Sequence, residues 1–271
     1  MDLDLIYDYF DEERRLTATP ARSIELLTTR MQIAKVLKPG MRILDVGAGS
    51  GAYSLAYAQE GYAVTAVEPV KKHCALMKAK RRPAMDLTIL EGNALDLTML
   101  EAASFDVVLC LGPLYHLEHE AQRTRCLEQA LRVLKPGGSA FFAFINNDMV
   151  FITEAMVYNP DFLDNGRYDC STFKVADLPF VFLTLDQVRR WLATLGWKPA
   201  QVFAADGMAE LLADKVNALS AEQFQQWLAF HWEMFIRDRI STRWKAPHFN
   251  TTIRSITFIV LIQPTRKVRK C

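Results

Sequence analysis

The stretch RILDVGAGSGAYSL, Arg42 to Leu55, constrains this chain more than any other. An apolar run, Ile43, Leu44 and Val46, meets glycines at alternate positions, Gly47, Gly49 and Gly51. The run reads as a buried strand, the glycines as a tight turn and the residues from Ser50 as the start of a helix. Such a junction builds parallel α/β sheets and holds a nucleotide-like cofactor at the turn.

The same rhythm continues on both sides. A helical period over 23–37 is stopped by Lys38-Pro39-Gly40. Strand 42–46 and helix 50–61 follow, the latter ending at Gly61 as a left-handed cap. Strands at 62–67 and 87–91 flank a helix over 70–80. Residues 105–111, FDVVLCL, form the nearly continuous apolar run of a strand buried on both faces. A helix over 120–134, a turn at 135–138 and a strand at 139–145 complete the pattern. Strands alternating with helices specify a doubly wound, mostly parallel sheet in the α/β class.

Beyond Ile145 the rhythm breaks, and residues 146–183 are irregular and aromatic. Thr184-Leu-Asp-Gln187 and Ser220-Ala-Glu-Gln223 are capping boxes that open helices. A sixth strand is expected at 198–204, a helical segment at 208–219 and a last strand at 256–263. The organisation expected is one domain over 1–271. An N-terminal helical segment over 1–40, carrying Tyr7, Tyr9 and Phe10, either forms a lid or packs on the sheet edge. A cofactor-binding core spans 41–145, and cap insertions lie at 146–183 and 205–250. The aromatic stripe Phe224, Trp227, His231 and Phe235 has helical spacing and suits either core packing or an apolar cap.

The 271 residues, 51% of them apolar, can bury a large core. Thirty-two basic residues against 31 acidic ones give a net charge of +1, which argues against a nucleic-acid partner. The basic run 266–270 reads as a solvated end. Five cysteines without a Cys-x-x-Cys pair argue against a disulfide framework or a zinc knuckle. The acidic start, MDLDLIYDYFDEERR, is not a signal peptide, and no apolar run is long enough to span a bilayer. A soluble, cytoplasmic monomer or homodimer without a membrane partner is the expectation.

The glycine spacing selects the cofactor. The dinucleotide fingerprint is Gly-x-Gly-x-x-Gly, with a pyrophosphate at the helix start. Here the spacing is Gly-x-Gly-x-Gly, and Asp45 precedes it. A carboxylate there opposes a pyrophosphate and suits a cofactor that carries an ammonium and a sulfonium, S-adenosylmethionine. The glycines let the backbone turn tightly against it. Glu68, at the end of the second strand, can accept hydrogen bonds from the ribose hydroxyls, a device that NAD enzymes share.

RILDVGAGSG, AVEP, EGNALDL, FDVVLCLGPLYHL and RVLKPGG together resemble the class I S-adenosylmethionine-dependent methyltransferases over about residues 35–145. The GPLYHL loop after strand four, and more weakly GMAELLADKVNALSAEQFQQW, resemble a bacterial branch acting on small molecules. The resemblance implies a Rossmann-like, seven-stranded sheet with an antiparallel last strand and helical cap insertions. It implies that Asp45, Gly47, Ala48, Gly49 and Gly51 surround the methionine part and that Glu68 takes the ribose. Pro69 would border the adenine, Asn93 and Ala94 would meet its edge, and Leu111 and Gly112 would lie beside the sulfonium. Asn93 departs from the family's frequent Asp and can donate as well as accept.

The acceptor loop is Gly112-Pro113-Leu114-Tyr115-His116. It lacks the Asn/Asp-Pro-Pro-aromatic loop of methyltransferases that act on nucleobase or glutamine amino groups. His116 is a candidate base or substrate contact, or else a strut at the helix start; Tyr115 is a candidate pocket floor or a packing residue. His116, Glu118, His119 and Glu120 lack the Cys or His partners of a metal site, and none is expected. The reading is methyl transfer from S-adenosylmethionine to a small molecule. The alternatives are a catalytically inactive cofactor-binding sensor or scaffold, and an NAD-dependent dehydrogenase.

Overall fold

The computed structural model describes residues 14–176, 179–233 and 257–264. Thr19 opens helix α1 (Pro20–Ala34) by accepting from the Arg22 N–H, with Pro20 at the first helical position. This cap sets the helix three residues earlier than its apolar spacing suggests. Strand β1 (Arg42–Val46) leads into α2 (Ala52–Gln59), β2 (Ala63–Glu68), α3 (Lys71–Lys80), β3 (Leu87–Glu91) and β4 (Phe105–Cys110). A single 3-10 turn, Pro113–Tyr115, then precedes α4 (Glu120–Val133) and β5 (Leu134–Asn146).

The sheet order is β3-β2-β1-β4-β5-β8-β7, where β7 is Gln201–Ala204 and β8 is Thr257–Ile262. The first five strands are parallel, and β8 runs antiparallel between β5 and β7. An eighth, two-residue strand, β6 (Phe182–Leu183), pairs with the end of β5. It lies in the segment that has no sequence period, because it is held by register with Ile145 and Asn146 rather than by its own pattern.

Alternate residues of the central strands feed two cores, as a sheet covered on both faces requires. Leu44, Val46, Phe142 and Phe144 meet α4 and α6 (Leu185–Thr194) through Leu127, Val188 and Trp191. Ile43, Leu109 and Phe141 meet α1, α2 and α3 through Ile33, Tyr57 and Met77. Strand β5 includes the Lys135-Pro-Gly-Gly138 segment expected as a turn. There it bulges against β4, passing from the pair Phe105–Leu134 directly to Val107–Ser139. A Cβ on Gly138 would lie 2.7 Å from the Asp106 carbonyl oxygen, so only glycine fits the bulge.

The insertion after β5 contains α5 (Asn147–Thr153), a π turn over Glu154–Tyr158 and its own small core of Val150, Phe162, Val175 and Phe182. Within 208–219 only α7 (Ala213–Asn217) is an α-helix, reached through turns. Helix α8 (Ala221–His231) starts at the Ser220 capping box. Its Phe224 and Trp227 pack with Ala21 and Ile24 of α1 and Val216 of α7. The described part of the aromatic stripe is therefore core, and His231 is completely buried. Tyr7, Tyr9, Phe10, Phe235 and the basic run 266–270 lie outside the described residues. Among the described residues no helix is long and apolar enough to cross a membrane.

Candidate active site

The carboxyl ends of β1, β2 and β4 open onto a cavity of about 410 Å³. Parallel strands place their following loops at this one edge, which is where ligands bind in doubly wound sheets. Gly47, Glu68, Pro69, Asn93, Ala94, Gly112 and His116 line it together. They come from four separate stretches of chain.

Each glycine of the turn has its own reason. Gly47 has φ +68°, and a Cβ there would stand 2.6 Å from Pro113 Cγ. Gly51 has φ +88°, caps α2, and would place a Cβ 2.5 Å from Met77 Cγ. Gly49 has φ +55°, in the left-handed region that glycine adopts without strain. Its N–H points at the next strand and donates to Glu68 Oε2 at 2.8 Å.

Glu68 is buried, and it is tied at both oxygens. Oε1 accepts from the Val70 N–H at 3.0 Å and lies 3.4 Å from His73 Nδ1. Asn93 Oδ1 accepts from the Leu95 N–H at 2.9 Å, which fixes the amide and leaves Nδ2 to donate elsewhere.

Asp45, Ala48, Gly49, Gly51, Leu111 and Tyr115 are not among the lining residues. Asp45 is buried beneath the turn and accepts from Ser54 Oγ at 2.7 Å. Burial is the largest influence on its carboxyl and pushes it up to about 6, with Ser54 opposing. Ala48, Leu111 and Tyr115 pack on the core beneath the cavity.

His116 ends the 3-10 turn. Its ring lies 4.9 Å from the Tyr115 ring and 5.1 Å from the Phe180 ring, centroid to centroid. Burial, and secondarily the Arg15 charge, lower its pKa to about 4, so the imidazole is neutral at pH 7. Arg123 of α4 donates from Nη1 to the Leu117 and Glu118 carbonyls at 2.7 and 2.9 Å, holding the strip of wall beyond His116. Pro179, Phe180 and Val181 line the cavity beside His116, and the Val181 N–H donates to the Tyr115 carbonyl at 2.8 Å. Nothing in the local sequence marks 179–181 as site residues. Leu117 and Pro113, also lining, sit inside the GPLYHL loop and were legible with it.

The chain resembles known proteins in the same region. Residues 44–142 match the family model described as a methyltransferase domain. Two curated relatives, each named ubiquinone biosynthesis O-methyltransferase, come from Pseudomonas entomophila and Pseudomonas fluorescens. They are 28% and 29% identical over 173 residues, which is 62% of this chain and 72% of each relative. Among solved structures, a protein from Pyrococcus horikoshii aligns at TM-score 0.59 and 15% identity, over 94% of this chain and all of the other. A SAM-dependent methyltransferase from Methanosarcina mazei aligns at 0.53 and 18% identity, covering 86% of this chain and 97% of its own. A [4+2]-cyclase also aligns at 0.53 and 16% identity, covering 89% and 81%. At such identities the structural likeness speaks for the fold and not for the reaction. The sequence match speaks for the reaction, and it runs from β1 into β5, the segment that builds the cavity floor. Residues 44–142 form a methyltransferase domain, and the sequence match and the fold together support an S-adenosylmethionine-dependent enzyme.

Proposed function

We propose that this methyltransferase methylates a small organic molecule seated against the wall that His116, Leu117 and Phe180 form, with the cofactor along Gly47, Glu68 and Asn93. The observation that carries this reading is the shared cavity. Residues chosen from four separate motifs line one space, and its volume falls in the range of small-molecule sites. The relatives' name favours an oxygen atom as the acceptor.

The residues present fit the cofactor. Glu68 lines the cavity at the end of β2, where a ribose diol needs an acceptor. Pro69 offers an apolar face to the adenine, and Asn93 and Ala94 border its edge. Gly47 and Gly112, without side chains, leave room beside the methionine part and the sulfonium. Asp45 and Gly49 act from behind the turn, Asp45 through its negative potential and Gly49 by holding Glu68. When bound, the cofactor supplies a methyl group on a positive sulfur, so the leaving group is already good.

The protein's tasks are then alignment and exclusion of water. Gly112 and the 3-10 turn set the acceptor opposite the cofactor end. Phe180, Leu117 and Val181 form the apolar part of the wall. His116, neutral by burial, can take a proton from the acceptor at one ring nitrogen or orient it by a hydrogen bond. The Tyr115 ring packs beside the His116 ring.

Calorimetry tests the cofactor half of the proposal. Wild type binds S-adenosylhomocysteine and not NAD. Glu68→Ala removes a charged acceptor, typically worth about 1.5–3 kcal/mol or roughly ten- to a hundredfold in affinity. Binding of S-adenosylhomocysteine by a folded Glu68→Ala variant with unchanged affinity contradicts the ribose role.

A further inference from the structure

Glu68 has more hydrogen-bond partners than a free ribose acceptor would. A carboxylate offers about four lone-pair positions, two on each oxygen. The Val70 N–H and His73 Nδ1 both approach Oε1, at 3.0 and 3.4 Å. The Gly49 N–H takes one position on Oε2, at 2.8 Å. Oε1 is therefore filled, and a single position on Oε2 remains. The side chains of His73 and Glu68 are each only 4% exposed, so the contact between them is buried.

His73 sits one turn into α3, on its buried face with Cys74 and Met77. It does not line the cavity. A carboxylate at the end of a strand can turn about its last torsion, which is broad and weakly held. Two partners on Oε1 stop that rotation and leave Oε2 as the oxygen with capacity for ligand. We propose that His73 is a positioning residue for cofactor recognition: by holding Oε1 together with the Val70 N–H, it presents Oε2 of Glu68 to one ribose hydroxyl. The second hydroxyl then finds its partner elsewhere. This inference rests on the ribose role of Glu68, through which His73 acts.

The test is a double-mutant cycle read by calorimetry with S-adenosylhomocysteine. His73→Leu keeps an apolar body of similar size and removes the donor. It weakens binding about tenfold, the typical effect of losing one hydrogen bond to a charged group. In a Glu68→Ala background the same substitution has no further effect. His73→Asn, whose amide nitrogen can occupy the place of Nδ1, retains affinity within about threefold, whereas His73→Gln, one methylene longer, does not. The Asn and Gln pair decides the matter even where His73→Leu does not fold.

Unchanged affinity in His73→Leu, an equal loss in both backgrounds, or Asn no better than Gln each overturns the inference and leaves the ribose reading intact. Unchanged affinity in Glu68→Ala alone overturns both.

Discussion

Gly49→Val yields a folded protein that no longer binds S-adenosylhomocysteine measurably. Gly49 has φ +55°, and a β-branched side chain there is strained by about 1–3 kcal/mol. Relief by rotation to negative φ turns its N–H away from Glu68 Oε2, a bond of 2.8 Å to a buried carboxylate. Either the strain is kept or this bond, typically worth about 1.5–3 kcal/mol, is lost, and the displaced Glu68 then costs roughly ten- to a hundredfold in affinity, on top of the room that the Val side chain takes from the cofactor. The fold survives because Gly49 sits in the exchangeable loop between β1 and α2, not in a packed element. Gly47 and Gly51 are poorer probes. Side chains there would strike Pro113 and Met77, so their replacement disturbs packing as well as binding. Circular dichroism and calorimetry on Gly49→Val check the expectation; normal binding would show that this turn is not the cofactor cradle.

His116→Ala leaves S-adenosylhomocysteine affinity nearly unchanged and lowers methyl transfer about a hundredfold. General bases contribute about 10²–10⁴-fold, and they work best with a pKa near the operating pH. Burial holds His116 at about 4, so its effect belongs at the lower end of that range. The unperturbed value of about 6.5 would place the acid limb of the rate profile near neutrality. The lowered value moves the limb down. The active form is the neutral imidazole, so the rate stays flat through pH 6–8 where His116 is concerned and falls as pH drops through about 4. The same depression makes the folded state bind fewer protons than the unfolded chain between those two values. This contribution to stability is therefore present above about 6.5 and lost toward 4. Equal rates and equal profiles for both proteins would make His116 a structural strut.

Much of this site is written in local patterns. The alternation of apolar strands with helices fixes the order of β1 to β5, and the capping residues Thr184 and Ser220 mark two helix starts directly. Glu68 is recognisable because strand ends collect at one edge of a parallel sheet. What was not legible depends on contacts between distant segments. Gly47 is needed as much by Pro113, 66 positions later in the chain, as by any ligand. Phe180 reaches the cavity because β6 pairs with β5 and the Val181 N–H meets the Tyr115 carbonyl, neither of which leaves a periodic trace. Asp45 is expected at the strand end beside the methionine part, yet it does not line the cavity and lies under the loop, accepting from Ser54 in the first turn of α2. The stripe on α8 was equally suited to core or cap. Its partners on α1 lie some 200 residues earlier and decide for core, at least as far as His231.

Incubation of the purified protein with a small-molecule extract and S-adenosylmethionine carrying an isotopically labelled methyl group tests the central claim most directly. Mass spectrometry should find a small metabolite that gains one labelled methyl group, together with an equal amount of S-adenosylhomocysteine, and neither should form with Gly49→Val. Label that appears only in macromolecules, or metabolites that stay unlabelled although the cofactor binds, would contradict it.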